Sequence, residues 1–421
     1  MNANRKSVTV NGRVYAQPPA PLVVICCDGS EPAYIEMARE MGKMDKLGVI
    51  MDKGSNLRGL SAMPSFTNPN NLSIVTGRPP AVHGISGNYL IDPESGREVM
   101  MNDPKWLRAP TIFEAFQKAG AKVAVVTAKD KLRLLLGKGL AFDGSAVCFS
   151  AEKADQATLA GNGIADVVSY VGKPVPEVYS ADLSEFVFAA GVKLLSSFKP
   201  DIMYLSTTDY VQHKYAPGSA GANSFYGMMD GYLGALDAAG AIVIIVADHG
   251  MKDKHLSNGE PDVVYLQDVL DAEFGTGKTK VILPITDPYV VHHGALGSFA
   301  TVYAYGPETR AVANVIAAQD GIDIVLDRKE GCARFELPED RLGDLIVVSG
   351  GPNHTKVIGT SRDKHDLSGL NEPLRSHGGL SEQEIPIISN RKLTGLTGTL
   401  RNFDAFSLGC NHIALQAQAA E

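Results

Sequence analysis

Three aspartates and three histidines stand in contexts that suit metal coordination. Asp209 and His213 are four apart in DYVQH, so on a helical turn they share one face and could grip one ion. A solvated helix pair has the same spacing, and spacing alone does not separate the two readings. Asp248 and His249 close an apolar run and precede Gly250, which permits the sharp turn needed to aim both side chains into one crevice. The alternative there is a strand-end turn with a capping Asp. Asp28 also follows an apolar run, and His377-Gly378-Gly379 offers a late ligand from an irregular polar stretch.

Thr67 lies in MPSFTNPNNLSIVTG, where Pro64, Pro69 and Gly77 bracket an irregular stretch ahead of a helix expected to begin near residues 68–70. A helix start aims free backbone N–H groups outward and so suits an anionic phosphoryl group, which Thr67 would face. Thr67 serves equally well as a plain helix N-cap. Lys129 and Lys131, in TAKDK, are two apart, so an extended chain would put both ammonium groups on one side with Asp130 opposite. This arrangement could clamp a carboxylate, and a solvated basic turn is the competing reading.

Positioning such residues requires a rigid frame. Residues 21–27 (PLVVICC) form a compact apolar run ending in Asp28-Gly29, as expected of a buried strand followed by a turn. Residues 122–127, 202–206, 241–247 and 344–349 repeat the pattern, and helical patterns cover residues 111–119 and 183–198. Alternation of this kind predicts an α/β fold with a mostly parallel, doubly wound sheet. Functional residues of such sheets gather beyond the carboxyl ends of the strands, where Asp28, Asp209, Asp248 and His249 fall. Residues 128–183 and 256–340 have a different texture and read as insertions. The second has strand, helix and strand patterns at 298–305, 308–318 and 322–326, which suggests a smaller α+β cap. The core is then assigned to residues 20–127, 184–255 and 341–421.

Composition narrows the function. A chain of 421 residues, 44% hydrophobic and 20% charged, has ample material for a large core. A net charge of -8 supplies no basic field for a nucleic acid backbone or an anionic membrane surface. The stretch at residues 1–10 lacks the apolar run of a secretory signal, and the apolar run at 241–247 is far shorter than the roughly 20 residues of a membrane helix. A cytoplasmic enzyme acting on a small molecule is the expectation, and the sequence leaves a homodimer open. Five scattered cysteines do not suggest a disulfide framework, and Cys26 and Cys27 read as small buried hydrophobes. His83, His255, His292, His293, His354, His365 and His412 lack comparable context and are expected at the surface or as satisfied core residues.

The order of these segments carries more information than any one of them. A strand ending in Asp28, then T-x-P-N running into SIVTGRPP and HGI, an Asn twenty-one residues after Thr67, D-x-x-x-H, ADHGM and a late His-Gly follow one another. In this the chain resembles the alkaline phosphatase superfamily, in the branch of nucleotide pyrophosphatases/phosphodiesterases and phosphonoacetate hydrolases. The resemblance covers the core segments. It implies two Zn2+, one held by Asp28, Thr67, Asp248 and His249, the other by Asp209, His213 and His377, with Thr67 as nucleophile. Asn88 matches the residue that hydrogen-bonds a phosphoryl oxygen, and His213 and His377 would also touch the substrate. Three carboxylates and a threonine alkoxide offset the charge of two divalent cations, and the mixed N and O donors suit zinc while leaving Mn2+ and Fe2+ open.

Within the branch, phosphonoacetate hydrolases carry a lysine pair in the region of Lys129 and Lys131, which favours the clamp reading and phosphonoacetate as substrate. Asn68-Pro69-Asn70-Asn71 stands where phosphodiesterases show Phe-Pro-Asn-His, which weakens nucleotide specificity. A nucleotide phosphodiesterase, a phosphomutase and an inactive metal-binding module are the rivals. Thr67 also argues against the sulfatases, whose nucleophile is a modified Cys or Ser.

Overall fold

The computed structural model describes residues 6–287, 294–351, 355–365, 367, 370 and 372–414. His292, His293 and His354 lie outside the described residues. Short runs of branched apolar side chains build a seven-stranded sheet in the order Ser55–Leu60, Glu384–Ser389, Ile242–Val246, Leu22–Cys26, Ile202–Ser206, Val123–Thr127, Ala146–Ser150. The last five of these pair in parallel, and Glu384–Ser389 runs antiparallel to both its neighbours. The expected α/β fold with a mostly parallel doubly wound sheet is therefore present.

Strand geometry sends alternate side chains to opposite faces, and both faces here are dry. Val23 and Ile25 join a core with the helices Pro32–Glu40, Asp45–Lys53, Asp182–Ser197 and Ala220–Ala238. Leu22, Val24 and Cys26 join another with Thr67–Thr76, Ile112–Lys118, Asp130–Leu136 and Ala405–Asn411. Burial on both faces explains why these strands read as continuous apolar runs. Cys26, Cys27, Cys148, Cys332 and Cys410 are all free and buried.

A smaller antiparallel sheet, ordered Thr279–Ile282, Phe299–Ala304, Leu345–Ser349, Ile322–Asp327, packs with Leu266–Phe274, Thr309–Ala317 and Arg328–Phe335 around a separate core. Two sequence expectations need correction here. The 344–349 strand belongs to this smaller sheet, so the sheet extends past residue 340. Ala146–Ser150, assigned to an insertion, is an edge strand of the large sheet. A five-residue run buried on both faces carries no mark of which sheet it will join. The smaller layer is also tied to the site, because its core includes Met63 and Phe66, just ahead of Thr67. Among the described residues no helix is long and apolar enough to cross a membrane.

Candidate active site

Adjacency in the sheet accounts for the site. Ile242–Val246, Leu22–Cys26, Ile202–Ser206 and Val123–Thr127 are consecutive neighbours, so the turns after their carboxyl ends bring Asp248 with His249, Asp28, Asp209 and Lys129 to one edge. The turn after Asp28 needs Gly29, whose φ is 68° and whose added Cβ would lie 3.0 Å from the Asp209 Cβ. The chain bends at Asp248 and not at Gly250. Gly250 does not take a positive φ, and its small size instead admits Glu31, whose Cβ would lie 3.1 Å from an added Cβ.

Thr67 is the first residue of the Thr67–Thr76 helix, whose cap is Phe66, with no side-chain capping bond. This start is one residue earlier than expected, and it leaves the Thr67 hydroxyl unneeded as a cap. Pro69 falls in the first turn, where a missing N–H costs nothing. Asn70 holds the preceding turn: its amide donates to the carbonyls of Ala62, Pro64 and Phe66, and its oxygen accepts from the Ala62 N–H at 2.7 Å. Thr67 Oγ1 then stands 3.3 Å from His249 Nε2.

The six candidate ligands converge. Asp209 Oδ2 lies 2.9 Å from His213 Nε2 and 3.7 Å from His377 Nε2. His249 Nε2 lies 3.4 Å from Asp28 Oδ1 and 4.0 Å from Asp248 Oδ1. Two groups have ligand atoms all within 4.8 Å of one another: Asp209, His213 and His377, and Asp28, Asp209 and His249. Asp209 thus stands between both sets, a sharing that the sequence does not reveal. Asp248 is fully buried, and its Oδ1 accepts from the Gly29 and His249 N–H groups.

The donor set fits divalent metal. Each histidine has Nδ1 against a backbone carbonyl, Arg375 for His213 at 2.8 Å, Gly250 for His249 at 2.9 Å and Ser65 for His377 at 2.9 Å. Nδ1 donates in each case, which fixes the tautomer and leaves the Nε2 lone pair aimed into the cluster. Asp28 Oδ1 is buried without a hydrogen-bond partner, as a carboxylate oxygen reserved for a cation would be. Burial, with Asp209 and Asp248 alongside, pushes the Asp28 carboxyl well above its ordinary range. Burial acts the same way on Asp209, yet His213, His377 and His249 hold its carboxyl well below that range. Burial, then His249 and His213, keeps His377 neutral, and its ring stacks on His249 at 3.7 Å. Packed carboxylates and imidazole nitrogens of this kind invite a cation.

A cleft of about 440 Å3 opens above Thr67, Asp28, Asp209, His213 and His377 and runs on to Asn88, Lys129 and Lys131. The lysine geometry differs from the extended chain expected. Lys129 caps the Asp130–Leu136 helix and Lys131 lies in its first turn, while Asp130 pairs with Arg133 at 2.6 Å. Both lysines nonetheless border the cleft. Asn88 borders it too, its N–H donating to the Pro284 carbonyl at 2.7 Å. Of the histidines set aside from the sequence, His83 is a satisfied core residue, with Nε2 2.9 Å from Ser73 Oγ.

Sequence reasoning missed two supports. Asn71 donates to Asp248 Oδ2 at 3.0 Å and to the Thr67 carbonyl at 3.0 Å, and accepts from Tyr204 and Ser206. The sequence marks its position only as a departure from Phe-Pro-Asn-His, and no local pattern marks a buried cross-link. Glu382, paired with buried Lys254 at 2.9 Å, accepts from the Gly379 N–H and so fixes the His377 segment.

Comparison with known proteins agrees with this geometry. The family model described as "Type I phosphodiesterase / nucleotide pyrophosphatase" matches residues 22–379, from the first strand of the large sheet to the His-Gly-Gly segment. The chain belongs to this family. Within the type I phosphodiesterase family, crystal structures of a phosphonoacetate hydrolase from Sinorhizobium meliloti 1021, in complex with phosphonoformate and with phosphonoacetate, superpose with a TM-score of 0.94. Their sequence is 60% identical, over 98% of this chain and 100% of that one. Human ectonucleotide pyrophosphatase/phosphodiesterase 5 shares the fold at 17% identity and a TM-score of 0.63, over 95% of this chain and 97% of that one. A phosphonoacetate hydrolase from Penicillium oxalicum is 63% identical over 30 residues, 7% of this chain and 42% of that protein. An ectonucleotide pyrophosphatase/phosphodiesterase of Caenorhabditis elegans is 34% identical over 104 residues, 23% of this chain and 13% of that protein. The chain therefore aligns with less than half the length of either of these two curated relatives.

Proposed function

We propose that this chain hydrolyses phosphonoacetate to acetate and phosphate, with Thr67 as nucleophile. The observation that carries the reading is one cleft lined by Thr67, the ligand cluster, Lys129 and Lys131 together. Likeness over the whole chain to a phosphonoacetate hydrolase supports it.

Asp209, His213 and His377 would hold one Zn2+, and Asp28, His249, Asp248 and Thr67 the other, with Mn2+ and Fe2+ suited to the same donors. When bound, such a pair polarises phosphoryl oxygens and makes the threonine hydroxyl acidic. Thr67 Oγ1 forms a P–O bond as the C–P bond breaks, leaving a phosphothreonine. The departing carbon carries its electron pair into the adjacent carboxylate as an enediolate, and a proton from solvent completes acetate. Lys129 and Lys131 face that carboxylate and stabilise the charge it gains. Asn88 donates to a phosphoryl oxygen, and water then cleaves the phosphothreonine to release phosphate. Buried free cysteines suit a cytoplasmic setting, and a homodimer belongs to the same reading.

Purified, zinc-loaded protein assayed against phosphonoacetate, a phosphomonoester and a nitrophenyl nucleotide diester decides the matter. Phosphate and acetate released in equal amounts are expected. Faster turnover of the nucleotide ester would replace this reading with a nucleotide phosphodiesterase.

A further inference from the structure

The two lysines are held by unlike partners. Lys129 donates to the Val178 carbonyl at 3.0 Å, with its ammonium 5.6 Å from the centre of the Tyr179 ring. A carbonyl and a π face steer an ammonium without cancelling its charge. Lys131 is held by a full carboxylate, Asp287, at 2.9 and 3.0 Å from its two oxygens. Asp287 is mostly buried, its side chain 15% exposed against 36% for Lys131, and it borders the same cleft.

Asp287 reaches the cleft from the smaller layer. It follows the Thr279–Ile282 strand by a short loop. That loop is pinned to the phosphoryl end of the cleft, since the Pro284 carbonyl accepts from the Asn88 N–H at 2.7 Å and the Ile285 carbonyl from Asn88 Nδ2 at 3.3 Å. One loop therefore touches both the residue assigned to the phosphoryl group and a lysine assigned to the carboxylate. The distance between the two ends of a phosphonocarboxylate is fixed by its short backbone, so a loop that sets both ends acts as a ruler.

We propose that Asp287 is a specificity-determining positioning residue, which holds the Lys131 ammonium at the cleft wall so that a carboxylate one carbon from phosphorus meets a preset pair of lysines. The inference rests on the phosphonoacetate reading and adds to it the source of chain-length selectivity.

The test compares wild type, Asp287→Asn and Asp287→Glu on phosphonoacetate, 3-phosphonopropionate and p-nitrophenyl phosphate. In Asp287→Asn, kcat/KM for phosphonoacetate is expected to fall roughly tenfold more than that for p-nitrophenyl phosphate, chiefly through KM, the scale of one charge-assisted hydrogen bond. Competition by 3-phosphonopropionate should strengthen relative to phosphonoacetate, and Asp287→Glu should recover part of the loss. Equal losses on phosphonoacetate and p-nitrophenyl phosphate, or no loss on either, would overturn the role of Asp287 while leaving the function standing. Wild-type protein that turns over p-nitrophenyl phosphate and not phosphonoacetate would overturn both.

Discussion

The two ends of the cleft are built on different principles. Beside Thr67, Asp28, Asp209, Asp248 and His249 leave the tips of adjacent strands, and each imidazole is locked by a backbone carbonyl. Beside the Asp130–Leu136 helix, two half-buried lysines at its start are steered by segments from outside that frame, residues 178–179 and Asp287. Charge placed by the sheet cannot be redirected without unfolding, whereas charge placed by borrowed loops can be retuned one contact at a time. The first arrangement suits chemistry that the family shares, and the second suits the choice of substrate.

The contrast can be broken at its strongest point first. Thr67→Ala should abolish phosphate release, by roughly a thousandfold or more, while zinc content measured by elemental analysis stays near that of wild type. Turnover like that of wild type would remove Thr67 as nucleophile. Asn71→Leu strips a hydrogen bond from Asp248, Tyr204 and Ser206 together, and zinc affinity should drop about 10- to 100-fold, the usual scale for a lost support of a metal ligand. Glu382→Gln should act in the same direction through His377, and zinc affinity equal to that of wild type in both variants would contradict the rigid-frame view.

Among the lysines, Lys129→Met should keep zinc bound and raise KM for phosphonoacetate about tenfold or more. A loss of metal in that variant would mean that the two ends are not separable. A further effect concerns a residue outside the cleft. Burial, with Arg341 nearby, lowers His83 to about 3. Above pH 6.5 the ring is neutral folded or unfolded, so it adds no pH dependence. As pH falls from about 6.5 towards 3, the unfolded chain takes up a proton that the folded chain refuses, and stability is lost. His83→Gln should therefore gain on wild type by about 1.4 kcal/mol per pH unit across that window, measured by urea unfolding. Parallel pH profiles would show the ring to be protonated in place.

What the sequence reveals follows the same division. Asp28, Asp209 and Asp248 are legible because a buried parallel strand is an apolar run and the first charged residue after it marks the functional edge. The lysines were legible as residues and not as geometry, because TAKDK carries no sign that the strand has already given way to a helix at Asp130. Asp287 and Asn71 were invisible as partners. Each acts across more than a hundred residues of sequence, on Lys131 and on Asp248, and a single chain carries no record of such pairings. The 344–349 strand was assigned to the wrong sheet for a related reason, since its composition is set by burial and its neighbours by topology.

One amide ties the reactive helix into the large sheet. Asn71 bonds the Thr67 backbone, the Asp248 carboxylate and side chains of the Ile202–Ser206 strand at once. Local fraying of that helix would have to break all of these, so its opening costs nearly what opening the whole domain costs. Amide hydrogens in its buried turns should consequently exchange with deuterium on the timescale of global unfolding, and catalytic competence should survive heating until the protein itself melts.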